Sequence, residues 1–451
     1  MARNSSRRHK GHPRVGLISP YTGGNLGDAA IIESARKQLL DRFGDAEFIL
    51  LVLDPVSVRE IHGVDTFQLS ALRRDFYFTP RSAESSTSQE DSTGFLRYRV
   101  RAALKRIGGR IPFALPVYRR LRGGLQEIRA EAGHVLDARR MVRNLDALLI
   151  AGGGQFDDVF GGPWGHPYAM FKWVRLAHSQ GVPVFMIGVG VDYLRYRLSN
   201  WFLRHAMSIA RRVSLRDAGS IEVLRKLGIR RELVLCPDLA FGMVNSTGNE
   251  KIEATRSAQD FTIGLSPIAF GLPGSWPVAA KESFDRYWRE FQALTHSLIK
   301  ENYSIRFFAT DANDYPLAQR LYDQVTSVPT GRERIQLLPP LNLAELITAL
   351  PNFDAVVASR LHGVLLSHVS RTPVLAVSYL RKVRAQMEDM GHERFCLDFD
   401  TFTAPEAQRG LNALLAERGR LVSQLGGVCA GRRRAVDNEF EAVCADLALN
   451  S

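Results

Sequence analysis

Short apolar runs alternate with stretches of helical periodicity along the first half of the chain, and turn residues separate the two kinds of segment. The first unit consists of the apolar run 15–19, the turn 20–28 and the helix-like stretch 29–40. Further apolar runs of the same type occupy 48–53, 145–151, 183–188 and 212–216. Strands that alternate with helices indicate a parallel sheet that is covered by helices on both faces.

The same rhythm restarts in the second half, after a polar stretch without periodicity. Apolar runs recur there at 261–266, 304–309, 335–338, 355–358 and 373–377, and a helical region follows from residue 404. We therefore predict a basic tail at 1–14, a Rossmann-like domain at 15–245, a linker at 246–260 and a second Rossmann-like domain at 261–451. The predicted fold class is α/β, with two parallel sheets facing a cleft, and such sheets bind ligands outside the carboxyl ends of their strands.

Residues 69–144 interrupt the first domain. The stretch 81–93 is poor in apolar residues, which predicts disorder. The stretch 97–143 carries thirteen arginine and lysine residues against three acidic ones, with apolar residues between them. Two readings stay open: an amphipathic arm that contacts an anionic membrane, or a solvated helical insertion packed on the domain. Gly108, Gly109, Pro112 and Pro116 argue against one continuous helix.

Composition and charge narrow the class of protein. A hydrophobic fraction of 45% with 24% charged residues is typical of soluble globular chains. Neither a membrane-spanning run nor a signal-peptide core is visible, and the four scattered cysteines suggest neither a zinc site nor disulfides. We therefore predict a cytoplasmic protein, with peripheral contact at the inner face of the plasma membrane left open. The net charge of +12 favours an anionic partner (nucleic acid, membrane or phosphorylated substrate), although a basic surface without a specific ligand remains an alternative.

Several common motifs are missing from the sequence. It contains no P-loop and no zinc-protease motif, and the turns 23–27 and 152–154 do not match the dinucleotide-binding pattern. Glycine at these turns still lets backbone N–H groups approach an anion or a sugar, although each turn alone is more typical of a plain connection between strand and helix. The pair Asp398 and Asp400 is discounted as a metal motif, and no metal site is predicted.

The most specific stretch is Ser-Arg-Leu-His-Gly at 359–363. It joins the end of an apolar run to the start of a helix, where the helix dipole favours anions. Arg360 suits a carboxylate or phosphate because its guanidinium binds such groups bidentately. His362 is suited to proton transfer near neutral pH. Their position at one turn predicts a functional site.

An ordered series of motifs accompanies this stretch. Asn-Leu-Gly-Asp at 25–28, Gly-Gly-Gly at 152–154, Ser-Leu-Arg-Asp at 214–217 and Cys-Pro-Asp at 236–238 precede it, and Tyr379-x-x-Lys382 follows it. The series resembles the polysaccharide pyruvyl transferase family over nearly the whole chain apart from 69–144. The resemblance implies a two-domain, GT-B-like fold and an enzyme that uses phosphoenolpyruvate as co-substrate without another cofactor. It further implies a cell-surface glycan sugar, or its precursor, as acceptor, a pyruvate ketal as product, and phosphate as leaving group.

The resemblance also suggests roles for individual residues. A donor with phosphate and carboxylate groups needs several cations or helix N-termini, for which the candidates are Arg216, Arg360, Lys382 and Gly363. His362 is the first choice for acid–base work, with Asp28 or His166 as second participant. Aromatic rings commonly stack on sugars, and the proposed acceptor-binding residues are Asn25, Gly27, Gly153, Gly154, Gln155, Trp164 and Tyr168. Asp217 is expected to orient Arg216, and Asp238 to cap a turn.

Two other functions stay open on the sequence alone. A glycosyltransferase of the same two-domain architecture would use a nucleotide-sugar donor, since one fold hosts many activities. A basic membrane- or nucleic-acid-binding protein without catalysis would explain the charge but would leave the turn at 359–363 without a purpose. No nucleic-acid module is recognisable, so we expect no nucleic-acid partner. The basic insertion is atypical of the family, and the acceptor could be lipid-linked, polymeric or a soluble glycoside.

Overall fold

A computed structural model describes residues 12–72, 114–154, 156–158, 161–191, 194–244, 261–272, 280–327 and 332–448. The strands of its first domain are β1 (Arg14–Ile18), β2 (Glu47–Val52), β3 (Asp65–Gln68), β4 (Ala147–Ala151), β5 (Val184–Val189), β6 (Arg212–Leu215) and β7 (Val234–Leu235). Its α-helices are α1 (Leu26–Phe43), α2 (Pro55–His62), α3 (Ala114–Val142), α4 (His166–Ser179), α5 (Arg197–Ile209) and α6 (Ala218–Lys226).

The second domain repeats this alternation. Its strands are β8 (Thr262–Ser266), β9 (Ser304–Phe307), β10 (Ile335–Leu337), β11 (Ala355–Ala358), β12 (Val374–Ser378) and β13 (Cys396–Asp398). Its α-helices are α7 (Lys281–Lys300), α8 (Tyr315–Thr326), α9 (Leu343–Ala349), α10 (Leu361–Val369), α11 (Arg381–Asp389), α12 (Ala404–Ala416) and α13 (Arg418–Ala448). The predicted linker 246–260 lies outside the described residues, as do residues 1–11 of the predicted tail.

Both sheets are parallel and share one strand order. The first runs β3-β2-β1-β4-β5-β6-β7 and the second runs β10-β9-β8-β11-β12-β13. In each sheet the chain reverses its direction of travel at the centre, between β1 and β4 and between β8 and β11. Ligands of such sheets bind where the order reverses. The predicted pair of Rossmann-like α/β domains is therefore confirmed, and each domain offers one such crevice.

The start of α1 follows from its capping residue. The side chain of Asn25 accepts hydrogen bonds from the N–H groups of Gly27 (2.9 Å) and Asp28 (3.2 Å), which satisfies two donors that a helix leaves open. The helix consequently begins at Leu26, three residues before the apolar periodicity becomes visible. This cap fixes the backbone of the turn that follows β1.

The last helix, α13, joins the two domains. It follows the second sheet in the chain, yet both carboxylate oxygens of Glu439 accept hydrogen bonds from Arg212, at the start of β6, at 2.8 Å each. Its Asp437 also accepts a hydrogen bond from Gln38 of α1 at 2.6 Å. A bidentate arginine–carboxylate pair has defined geometry, so α13 restrains the first domain relative to the second.

The described part of the insertion is one helix, α3, and the predicted helix breakers Gly108, Gly109 and Pro112 lie outside the described residues. Pro116 lies in the first turn of α3, where its missing N–H removes no hydrogen bond. Further along α3, buried Glu131 pairs with Lys172 of α4 at 2.7 Å. Residues 126–142 therefore match the alternative of a helical insertion packed on the domain, whereas the predicted disorder at 81–93 lies outside the described residues. None of the helices that the structure describes is both long and apolar enough to cross a bilayer.

Candidate active site

Two turns from different domains contact each other directly. The turn after β1 pairs with the segment after β9 through Leu26 N–H to the Thr310 carbonyl (2.9 Å) and Ala312 N–H to the Gly24 carbonyl (2.8 Å). The Asn25 side chain also donates to Asp311 at 3.2 Å. These bonds form a short antiparallel bridge between the domains, and they position the N-terminus of α1 against the second sheet.

His362 completes the contact from the second domain. Its imidazole lies directly against the backbone of Gly27, because a methyl group on Gly27 would come within 1.8 Å of the ring carbon Cγ. Only glycine leaves room for the ring at this approach. Gly363, the next residue in the first turn of α10, is buried beside Ala358 and Thr310. The predicted residues Asn25, Gly27, His362 and Gly363 are thus brought together from both domains.

Cations converge on this histidine. Burial, and then Lys382, Arg216 and Arg360 in that order, lower the pKa of His362 to about 3. The imidazole is therefore neutral at physiological pH. Its Nε2 atom is buried and has no hydrogen-bond partner among the described residues. A neutral ring surrounded by cations is suited to accept a proton once an anionic ligand has offset the positive charge.

Asp28 shows the opposite shift at the same place. Burial raises its pKa to about 7; Asp311 adds to the rise, and Lys382 opposes it. This carboxyl group can therefore take up and release a proton near neutral pH. An acid and a base whose pKa values are displaced by shared neighbours are typical of a catalytic centre.

Arg216 and Lys382 line the pocket beside this contact, together with Arg381. The side chain of Arg216 lies over Gly190, where a methyl group would come within 2.6 Å of Nε. Its distances to Asp217 (3.5 Å) and Asp238 (3.8 Å) exceed those of a hydrogen bond. Both carboxylates also cap helices: Asp217 caps α6, and Asp238 caps the short 3-10 helix Leu239–Met243. The predicted capping role of Asp238 is confirmed.

Arg360 occupies a different position from the other predicted donor ligands. Its guanidinium is buried and forms ion pairs with Asp314, through Nε, and with Asp311, through Nη1 at 3.2 Å. These contacts brace the 311–314 turn that bridges to Asn25. Arg360 thereby positions the interdomain contact, and its direct contact with the donor stays a prediction.

The structure does not bring His166 into this cluster. The side chain is buried at the start of α4, and burial alone lowers its pKa to about 4. None of the cations that act on His362 contributes to the pKa of His166. A role of His166 as second acid–base participant stays a prediction without support from the site geometry.

The remaining acceptor candidates lie at the carboxyl edge of the first sheet. The carbonyl of Gly153 accepts a hydrogen bond from Gly190 N–H at 2.8 Å, which joins the loops after β4 and β5. A methyl group on Gly154 would lie 2.9 Å from Oδ2 of Asp157, so the Asp157 side chain would have to shift to admit it. Trp164 is exposed and packs on Tyr168 with ring centres 5.3 Å apart. Gln155 lies outside the described residues.

Sequence reasoning missed the two acids that hold Arg360. Thr-Asp-Ala-Asn-Asp at 310–314 follows the apolar run of β9 in the same way that the other candidate turns follow theirs. That position at the carboxyl end of a strand was the available signal. Within the described part of the chain, no group of three or more metal-ligating side chains is assembled.

Fold and site define a two-domain α/β protein in which cationic side chains gather near the contact between the two halves. Residues 25–381 match the sequence model of the family described as Polysaccharide pyruvyl transferase. The chain therefore belongs to that family, and it is a pyruvyltransferase, as predicted. A curated relative, the amylovoran biosynthesis protein AmsJ of Erwinia amylovora, is 22% identical over 308 residues, which cover 66% of this chain and 70% of that protein.

Solved structures with a similar fold belong to the GT-B group. The UDP-GlcNAc 2-epimerase of Neisseria meningitidis bound to UDP-GlcNAc matches with a TM-score of 0.53 at 9% identity, over 97% of this chain and all (100%) of that one. A glycosyltransferase of Rickettsia africae matches with a TM-score of 0.53 at 10% identity, over 98% and 100% of the two chains. At such identities the likeness shows the fold alone, and it confirms the predicted GT-B-like architecture.

Proposed function

We propose that this enzyme transfers pyruvate from phosphoenolpyruvate to a sugar of a cell-surface glycan or of its precursor. The observation that carries the proposal is the convergence of Arg216 and Lys382 on a neutral His362 beside Asp28, whose pKa is about 7. Phosphoenolpyruvate combines a phosphate and a carboxylate on three carbons. The site offers the complementary cations within one pocket and next to groups that can move protons.

The donor would lie between the two cationic side chains and the first turn of α10. Arg216 suits the planar carboxylate or the phosphate, because its guanidinium can form two parallel hydrogen bonds. Lys382 supplies a second positive charge from α11. The backbone N–H of Gly363, in the first turn of α10, adds the favourable end of a helix dipole.

The chemistry requires two protons to leave the sugar. Asp28, protonated on part of the molecules at neutral pH, would donate a proton to the methylene carbon and leave a cationic centre at carbon 2. One sugar hydroxyl attacks that carbon and gives its proton to His362. The carbon–oxygen bond to phosphate then breaks, a second hydroxyl of the same sugar attacks, and its proton returns Asp28 to its acid form. The proton on His362 leaves with the phosphate, so the products are a pyruvate ketal and hydrogen phosphate.

The acceptor would approach from the first domain. The turn that contains Asn25 and Gly27 places backbone groups beside His362. Trp164 presents its indole at the carboxyl edge of the sheet, where a sugar ring could stack on it. The form of the acceptor (lipid-linked, polymeric or soluble) determines which part of this surface is used.

The test is phosphate release from phosphoenolpyruvate in the presence of a panel of glycosides, with each acceptor followed by mass spectrometry. We expect phosphate release that depends on one acceptor, together with the mass gain of one pyruvyl group on it. Thermal stabilisation by phosphoenolpyruvate and by UDP-GlcNAc is measured in parallel. Stabilisation by the nucleotide sugar alone, without turnover of phosphoenolpyruvate, would replace this proposal by nucleotide-sugar glycosyl transfer.

A further inference from the structure

The outer face of α5 exposes large apolar side chains. Leu198 and Trp201 of this helix are 38% and 45% exposed, and the adjacent Tyr196 and Trp164 are 46% and 44% exposed. We call these four residues, together with Arg197 and Arg204 of the same helix, the α5 rim. Contiguous exposed aromatic and aliphatic side chains mark a surface that binds a partner.

Packing contacts hold the aromatic rings of the rim in place. The indole of Trp201 packs on Phe171 and Phe202, with ring centres 5.2 and 5.4 Å apart, and on His205 at 4.1 Å. Trp164 packs on the same Phe202 at 5.8 Å. The two exposed indoles therefore share one buried support, and presenting them to a partner costs little conformational entropy.

The charged side chains of the α5 rim are all positive. Arg197 and Arg204 are exposed on the same helical face as Trp201, because they precede and follow it by four and three residues. Neither α4 nor α5 contains an aspartate or a glutamate. The neighbouring Asp158 is buried and accepts hydrogen bonds from the N–H groups of Arg195 (2.8 Å) and Tyr196 (3.1 Å), so this acid shapes the loop from within.

We propose that the α5 rim docks on an anionic phospholipid surface. Tryptophan and tyrosine rings favour the boundary between lipid headgroups and hydrocarbon, and arginines beside them pair with lipid phosphates. The aromatic rings of the rim would lie between the headgroups and the hydrocarbon, and its arginines would lie beside the lipid phosphates. A second copy of the chain fits less well, since two such faces would bring arginines of like charge together.

Docking by this face would also place the crevice at the membrane. Trp164 and Tyr196 belong to the loops after β4 and β5, at the same edge of the sheet as the 152–154 turn. An acceptor carried on a lipid would then reach the site without leaving the bilayer surface. This consequence rests on the proposed function, whereas docking itself does not.

The test is flotation of the full-length protein with vesicles of phosphatidylglycerol and phosphatidylcholine, compared with vesicles of phosphatidylcholine alone. We expect binding to the anionic vesicles that weakens as the salt concentration rises. The double variants Leu198→Ser/Trp201→Ser and Arg197→Glu/Arg204→Glu should each weaken binding at least about tenfold. The matched control is Val56→Ser/Ile61→Ser on α2, which removes apolar side chains that are 69% and 52% exposed and should leave binding unchanged.

Three outcomes would overturn the proposal. They are no binding of the unmodified protein, equal binding of the rim variants and the control, or loss of self-association instead of vesicle binding in sedimentation velocity. Melting curves establish that the variants are folded. Turnover of a soluble acceptor, measured on the same samples, separates a failure of docking from a failure of the proposed reaction.

Discussion

His362 and His368 lie in the first and last turns of the same nine-residue helix, α10, and in both the pKa is lowered to about 3. The causes differ after burial, which comes first for each. At His362 the further contributions are Lys382, Arg216 and Arg360, whereas at His368 the neighbour is His392, with ring centres 5.4 Å apart. A bound anion can offset cations in a pocket but cannot undo burial in a core. The same lowered pKa therefore fits the proposed proton transfer at one turn and core packing at the other.

The largest expected effect is on turnover. His362→Ala should lower kcat by about 10²–10⁴-fold, because it removes the proposed proton acceptor. His368→Gln should instead lower the melting temperature and leave kcat within about threefold, because its ring lies in the core. Steady-state kinetics and melting curves on both variants check this. Equal losses of kcat in the two variants would contradict the proposal that His362, and not His368, takes part in the reaction.

The next effect comes from the glycine beneath the ring. Gly27→Ala should lower kcat by about 10²-fold, since the added methyl group displaces His362 from its position. Gly133→Ala, where no atom lies within 4 Å of the added methyl group, is the control. The double variant Gly27→Ala/His362→Ala should be no slower than His362→Ala alone. Additive losses would mean that Gly27 acts through something other than the ring.

A ligand titration compares the two histidines in one experiment. Saturating phosphoenolpyruvate should raise the pKa of His362 by about one pH unit or more, because its charges offset Lys382 and Arg216. The pKa of His368 should not change. Ring-proton chemical shifts followed against pH, with and without the ligand, give both values, and assignment comes from the single variants. An equal response of both rings would contradict the assignment of the cations to donor binding.

The smallest effect concerns stability and Asp28. Its pKa of about 7 in the folded protein lies above its ordinary value of 3.8, so the folded state binds an extra proton between those pH values. This contribution to stability is complete below about pH 4 and is lost as pH rises through 7. Asp28→Asn should therefore raise the melting temperature relative to the unmodified protein by about 1–2 °C more at pH 8 than at pH 5. A difference that does not depend on pH would place the Asp28 pKa at its ordinary value.

The sequence predicted most of the fold because central strands carry a strong signal. The strands that it missed are β3, β7 and β13, which all lie at sheet edges and are only four, two and three residues long, so they offer no long apolar run. Central parallel strands are buried on both faces, which requires continuous apolar runs. Edge strands are less completely covered, so their sequences need fewer apolar residues. The start of α1 was placed late because an asparagine cap carries no apolar periodicity.

The candidate site was predictable only in part. Position at the carboxyl end of a strand identified the turns at 25–28 and 359–363. It could not show that Gly27 receives the ring of His362, or that Arg360 is held by Asp311 and Asp314. Those pairs join residues that are distant along the chain, and their contact depends on how the domains meet. The sequence also could not rank His166 against Asp28 as the second acid–base participant, because spacing carries no information on neighbouring charge, and the role of His166 stays a prediction.

The bridge between Asn25 and Asp311 has a consequence for protein engineering. One way to alter the acceptor specificity of a two-domain transferase is to exchange one of its domains for that of a relative. In this chain the two domains are joined by backbone hydrogen bonds between the turns at 24–26 and 310–312. The imidazole of His362 from the second domain also packs against Gly27 of the first. A chimera cut at the predicted linker would bring together mismatched surfaces at this contact. The transplantable module is therefore the first domain together with residues 310–314 and 359–363, and a library designed on that unit should retain more active members than one designed on domain boundaries.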